Sequence, residues 1–206
     1  HFIYELLQNA DDAAAAYVRI HLFSDRLVFI HNGSVRFSIS DVDTEENDPN
    51  VGHLNAITSI GATSKHGGNK IGKFGVGFKS VFQYTDTPHI EDDFFSFRIV
   101  DFIVPEEEDP VVSDRKMGET LFCIPFKNPE VAFREISETL MSLNKPLLFL
   151  HSMSSIQWDS HDGQVGYYSR ESTITRTFGD TNYAFVIRRQ NYNNEMGVEY
   201  LHSFSR

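Results

Sequence analysis

HFIYELLQNADDAAAA, residues 1–16, is the stretch on which the reading of the fold turns. At about 100° per residue, offsets of four and seven align Glu5, Asn9 and Asp12 in one polar stripe. Phe2, Leu6, Ala10, Ala13 and Tyr17 form the opposite, core-facing stripe. A solvated charged face is the ordinary reading of such a helix. What the rest of the chain sets against that stripe decides whether it is more than that.

The richest segment for chemistry lies further on, in KIGKFGVGFKSVF (residues 70–82). Gly72, Gly75 and Gly77 lead into a helical pattern, FKSVFQYT, and this arrangement lets backbone N–H groups converge on an anion. Lys65, Lys70, Lys73 and Lys79 make residues 65–79 locally basic with no acid among them, whereas DVDTEENDPN (residues 41–50) holds five acids and no base. A basic loop in an otherwise acidic chain suits a small anionic ligand. GGNKIGK at 67–73 satisfies the phosphate-loop spacing, but Phe74 stands where the metal-binding hydroxyl belongs and no apolar strand precedes it. GVGFKS supplies only the first two glycines of a dinucleotide fingerprint, again with no strand feeding it.

The whole composition frames these motifs. The 206 residues, 40% hydrophobic and 23% charged, suit one large globular domain, or one domain and the start of another. A net charge of −11 argues against a general nucleic-acid binder. The single cysteine, Cys123, excludes an internal disulfide and suits a reducing, cytoplasmic setting. No apolar run reaches membrane-spanning length. The first residue already belongs to a helical pattern, so the chain reads as a fragment. The nine histidines show no metal-ligand spacing with Cys123.

Along the chain, YVRIHLF and LVFIH read as strands around Ser24-Asp25-Arg26, and VGHLNAITSI as a short helix. FFSFRIVDFIV and ETLFCIPF read as strands separated by the acidic loop PEEEDPVVSDRKMG. PEVAFREISETLMSLN reads as a helix started by Pro129. SIQWDS, QVGYYS, STITRTF and YAFVIRR are short strands, with Trp158 as sheet or core packing. The expected division is residues 1–150 as the unit that carries these motifs and 151–206 as a β-rich extension or the start of a following domain.

ELLQNADDA, HNG after a strand, IGKFGVGFKSVF before a helix and GETLFCIPF as a later strand follow one another in an order that resembles the Bergerat-fold (GHKL) ATPases. These include gyrase, the ninety-kilodalton heat-shock chaperone, histidine kinases and MutL; the chain is most similar to the sacsin-like branch over residues 1 to about 150. The resemblance implies a two-layer α/β (α+β) sandwich, with helices on one face of a mixed, mostly antiparallel sheet. It also implies ATP and Mg²⁺ as cofactors. Glu5 would be the general base for the attacking water, Asn9 would offer its amide oxygen to magnesium, and Asp12 would support the nucleotide site on the same face. Gly72, Gly75, Val76, Gly77 and Phe78 would present backbone donors to the phosphates, with Lys65, Lys73 and Lys79 offsetting developing charge. Residues 62–73 would form a lid, and Thr120 would lie near the adenine.

One departure stands out. His31 of HNG, followed by Asn32 and Gly33, occupies the place where the family's DxGxG motif puts an adenine-reading aspartate. A neutral imidazole does not duplicate a carboxylate, so the base preference is open; Asn-Gly also reads as a plain hairpin turn. The function implied is slow ATP hydrolysis within a larger chaperone-like or defence-associated protein, with unidentified clients and a homodimer in the full-length molecule. A non-hydrolysing nucleotide sensor is the alternative, ahead of a DNA-processing ATPase or a histidine-kinase-type phosphotransferase.

Overall fold

A computed structural model describes residues 2–34, 78–102, 104–177, 180–190 and 196–205. Helix α1 runs from Phe2 to Asp12 and buries Phe2, Ile3, Leu6, Leu7 and Ala10, a broader apolar face than the spacing of Phe2, Leu6 and Ala10 alone implies. It stops before the expected stripe would reach Tyr17, because Ala14 adopts a positive φ of 59° and turns the chain into β1 (Tyr17–Leu22). Strand β1 returns antiparallel as β2 (Arg26–His31). The segment FKSVFQYT forms only a six-residue 3-10 helix, η1 (Phe78–Gln83). Its buried residues, Phe78 and Val81, are three apart, the period of a 3-10 turn, and η1 packs on α1.

The run FFSFRIVDFIV is split. Asp101 and Phe102, at φ 51° and 69°, turn β4 (Ser96–Val100) back into β5 (Val104–Glu107), which takes up part of the acidic segment expected to be loop. A short strand, β3 (His89–Glu91), joins β4 to β6 (Thr120–Pro125). Helix α2 (Pro129–Met141) starts with proline in its first turn, as the sequence indicates. A second 3-10 turn, η2 (Pro146–Leu148), leads to β7 (Ser155–Ser160). QVGYYS and STITRTF merge into one long strand, β8 (Val165–Thr177), followed by β9 (Asp180–Gln190) and β10 (Met196–Ser205). The helix expected at 51–60 lies outside the described residues.

The ten described strands form one sheet in the order β10-β9-β8-β7-β1-β2-β6-β3-β4-β5. Among them only β1 and β7 pair in parallel; α2 belongs to the crossover that carries the chain from β6 to β7. The strands after residue 150 therefore continue the sheet that β1 and β2 begin. This is an α+β architecture with a mixed sheet.

Alternation along the strands sorts side chains between two faces. Val18, Ile20, Leu22, Leu27, Phe29, Phe122, Ile124, Ile156 and Trp158 pack with residues of α1, η1 and α2 in the main core. The opposite face carries a small second core, Val28, Ile30, Leu121 and Cys123, with Phe23 and Val111 packed against it. Segment 108–119 is tied to this back face by charge: Arg115 Nε donates to Glu91 (2.7 Å), and Arg19 Nη2 donates to the buried Glu119 carboxylate (2.8 Å).

Candidate functional site

The last rung of the β2–β6 ladder is the pair His31 and Thr120. Directly opposed residues of neighbouring strands project from the same face, with Cβ atoms about 5 Å apart. That face is the helix side, since Phe29 and Phe122, two residues away on each strand, lie in the main core. His31 is 2% exposed and Thr120 1% exposed. The imidazole stacks on Phe122 (centroids 5.8 Å, 23°) and meets Phe29 edge-on at 6.3 Å. Phe78 closes on Phe122 from η1 at 5.8 Å.

Gly33 explains why the chain after β2 approaches α1 so closely. A Cβ there would fall 2.8 Å from the Ala13 Cβ and 2.9 Å from the Ala13 carbonyl oxygen, and the next residue, Ser34, donates its N–H to that same carbonyl (2.9 Å). The Gly33 N–H donates to His31 Nδ1 at 3.0 Å. The end of β2 is thereby pressed against the last turn of α1. Asn9 lies one turn before Ala13 on the same side of that helix, and its carbonyl oxygen accepts the Ala13 N–H (3.1 Å).

Two polar atoms in this region are buried without a hydrogen-bond partner among the described residues: Asn9 Nδ2 and Thr120 Oγ1. Native interiors rarely leave such groups unpaired, and an orphan commonly marks a water, ion or ligand site. Glu5, one turn earlier, is half-buried, Asp12 is exposed, and Lys79 is exposed at the start of η1. Asn32 serves the framework, because its Oδ1 accepts the N–H groups of Ala16 and Tyr17, both at 2.9 Å, and so fixes the link between α1 and β1. Lys65, Gly72, Lys73, Gly75, Val76 and Gly77 lie outside the described residues, as does the expected lid.

No protein-family model matches this chain. It is similar to Protein NO VEIN of Arabidopsis thaliana, 31% identical over 183 residues. The match takes in 76% of this chain and 6% of that protein, so the chain spans a small part of its relative's length.

Asp11, beside the candidate Asp12, is a residue that the motif reading passes over. Its buried carboxylate accepts the backbone N–H groups of His151 (2.8 Å), Ser152 (2.7 Å) and Met153 (3.0 Å), which anchors the approach to β7. The doubled aspartate is the available signal, because two adjacent helical positions point about 100° apart and do not share one job. Two other features are poor candidates for the chemistry. Burial pushes the Cys123 thiol up to about 11, which keeps it protonated and a weak nucleophile. A cleft of about 660 Å³ between β3 and segment 107–110 is lined by Glu91, Asp92, Asp93, Glu107, Glu108 and Asp109 with only Arg115 in opposition, an environment that repels polyphosphate.

Among the described residues no group of three or more His, Cys, Asp or Glu side chains is arranged to hold a metal, and no helix is long and apolar enough to cross a membrane. Magnesium needs no all-protein cage. It commonly takes one or two protein oxygens and completes its shell with water and substrate phosphates.

Proposed function

We propose that this chain is a Bergerat-type nucleotide-binding unit that takes a magnesium-bound nucleoside triphosphate, ATP by the family resemblance, between α1 and the β2–β6 end of the sheet, and hydrolyses it slowly. The observation that carries the reading is the pair of orphaned buried atoms, Asn9 Nδ2 and Thr120 Oγ1, at two positions that the resemblance assigns to the nucleotide. They belong to different elements, α1 and β6, and Gly33 draws the β2 neighbour of Thr120 against the helix that carries Asn9.

The residue chemistry fits a metal-bound triphosphate. An orphaned amide can turn its oxygen toward a hard cation, so Asn9 would hold magnesium through Oδ1, and the ion, when bound, neutralises phosphate charge. Glu5 lies one helical turn from Asn9, where a carboxylate accepts a proton from water in hydrogen-bond reach. Lys79, exposed and close in sequence to the glycine-rich segment, adds positive charge at the phosphate end. The aromatic group of His31, Phe122 and Phe29 suits the heterocycle at the other end.

The test separates binding from chemistry. Glu5→Ala should reduce hydrolysis at least about 100-fold while leaving magnesium-nucleotide affinity within about threefold, the pattern expected when a general base is removed. Turnover equal to that of the parent chain would refute the assignment. His31 in place of a carboxylate favours a second reading, a sensor that binds without hydrolysing; single-turnover hydrolysis distinguishes the two. A part in a longer chaperone-like or defence-associated protein, with partner domains or clients, belongs to the same proposal. The small share of NO VEIN that the match covers agrees with a module of a long chain.

A further inference from the structure

Asn32 and Gly33 form the chain's single Asn-Gly pair. The side-chain carbonyl oxygen of Asn32 accepts two consecutive backbone N–H groups, those of Ala16 and Tyr17, both at 2.9 Å. The backbone N–H of Gly33 donates to His31 Nδ1 at 3.0 Å. The His31 ring is buried and stacked on Phe122, which holds that nitrogen in place. A nitrogen that accepts a hydrogen bond carries no proton, so Nδ1 can take one.

These bonds join β1 to β2, but around one side-chain amide they also supply the parts of an acyl-transfer site. The Gly33 nitrogen follows Asn32 directly in the chain, and its attack on Asn32 Cγ closes a cyclic imide within one molecule. Negative charge then develops on Oδ1, which already rests on two N–H donors at the distance an oxyanion requires. The proton that the Gly33 nitrogen must lose lies in its bond to Nδ1, the place of a general base. Glycine leaves no side chain to crowd the attack, and none would fit, because a Cβ at this position would fall 2.8 Å from the Ala13 Cβ. Asn32 is half-buried and Ser34 is exposed, which opens the pair to water from that side.

We propose that Asn32-Gly33 is a self-modification site, at which the folded chain converts its own asparagine to a cyclic imide and then to aspartate or isoaspartate. In the first step the bond from Gly33 N to Asn32 Cγ forms and the Cγ–Nδ2 bond breaks. The Gly33 proton passes to His31 Nδ1 and on to the leaving nitrogen, which departs as ammonia. In the second step water opens the imide. Cleavage of the new bond to Cγ leaves aspartate, and cleavage of the bond from Gly33 N to the Asn32 backbone carbonyl leaves isoaspartate, with the main chain rerouted through Cγ. No redox partner or cofactor is consumed. The aspartate product keeps an oxygen for the N–H groups of Ala16 and Tyr17. The isoaspartate product adds one atom to the main chain just where Gly33 is pressed on Ala13, and so loosens the joint between β2 and α1. The proposal stands on these contacts alone, whether or not the neighbouring site takes a nucleotide.

The experiment incubates the whole chain at neutral pH, folded in buffer and unfolded in urea, and follows residue 32 by peptide mapping with mass spectrometry. Both samples have the same Asn-Gly sequence, so the ratio of their rates reports the fold. Asparagine should be lost at least about tenfold faster from the folded chain, with imide or isoaspartate among the products. The loss should be at least about tenfold slower in folded His31→Gln, which can still accept the Gly33 N–H but is not a base. Should that variant fail to fold by circular dichroism, the parent's folded-to-unfolded ratio carries the test. A folded parent that loses asparagine no faster than the unfolded chain overturns the proposal, as does a folded His31→Gln that matches the parent. Aspartate formed without imide or isoaspartate would mean direct hydrolysis by water, and overturns it too.

Discussion

Replacing Asp11 and Asp12 in turn by alanine sets two adjacent, chemically identical residues against each other. Asp11 is 9% exposed, and its two oxygens accept three backbone N–H groups at 2.7, 2.8 and 3.0 Å. Removing that carboxylate leaves three donors of the 151–153 segment without their partner. Each unsatisfied buried donor is worth roughly 1–3 kcal/mol, but Ser152 and His151 are exposed and water will replace part of the loss. Counting Met153 in full and the other two at about half gives roughly 4 kcal/mol from the middle of that range, a large fraction of the stability of a typical domain. Asp12 is exposed at the helix end, where a surface substitution stays within about 0.5 kcal/mol. The assay is urea unfolding followed by circular dichroism and by Trp158 fluorescence, comparing midpoints at constant slope. Asp11→Ala should lower the midpoint sharply and Asp12→Ala should not. The nucleotide proposal adds the converse: Asp12→Ala should weaken triphosphate binding without touching the midpoint. An Asp11→Ala loss below about 1 kcal/mol would show that the three N–H groups do not depend on this carboxylate, and would refute the reasoning.

Thr120→Val removes a buried hydroxyl that has no described partner, so it should be neutral or stabilising by up to about 1 kcal/mol in the free chain and should weaken nucleotide binding, as thermal melts with and without ligand would reveal. In Gly166→Ala the new methyl would come within 2.8 Å of Trp158 Cζ2 and closer still to Nε1, so an unfolding loss of about 1–3 kcal/mol is expected; a smaller loss would mean that the indole is free to move. His21 and His89 should give opposite pH dependences. The hydrogen bond to Asp159 raises the His21 pKa, so its contribution is full below about pH 6.5 and is lost as pH rises through the raised value; burial lowers that of His89, so stability is lost as pH falls from about 6.5 through the lowered value. Stability curves of His21→Gln and His89→Gln between about pH 5 and 8 should therefore depart from the parent toward the acid end with opposite sign, His21→Gln lacking the parent's gain there and His89→Gln escaping the parent's loss.

The helix α1 face, β1, β2, β6 and α2 are legible in the sequence because each follows from local alternation, helical spacing or a proline at a helix start. The departures fall where nonlocal geometry decides. Nothing in FKSVFQYT distinguishes a 3-10 turn from an α-helix except that its buried residues, Phe78 and Val81, recur at three and not four. FFSFRIVDFIV has the composition of one strand, and only the positive φ at Asp101 and Phe102 folds it in two. Strand β3 is three residues long, too short for a pattern, and exists because β6 and β4 both pair with it. The same holds in the site. Asn9 and Thr120 come from motif positions, whereas the engagement of Asn32 by Ala16 and Tyr17 and of Asp11 by residues 151–153 spans 15 to 142 positions and leaves no local signature.

These long-range bonds also explain why the candidate site lies at this end of the sheet. Asn32 ties the start of β1 to the end of β2, Asp11 ties the end of α1 to the approach to β7, and Gly33 brings β2 against Ala13. All three restrain the last turn of α1 relative to the sheet, so the turn carrying Asn9 is held from the side of β1, β2 and β7. On the back face, Glu119 accepts from Arg19 Nη2 and from Tyr17 Oη (2.6 Å), which fixes β6 at the residue before Thr120. A site that must hold a charged ligand gains from such rigid walls, because less ordering cost is then left to the moment of binding. Arg19→Ala tests this directly: it leaves every candidate nucleotide contact in place, so loss of stability with an equal loss of nucleotide affinity would support rigid walls, and unchanged affinity in a destabilised chain would refute them.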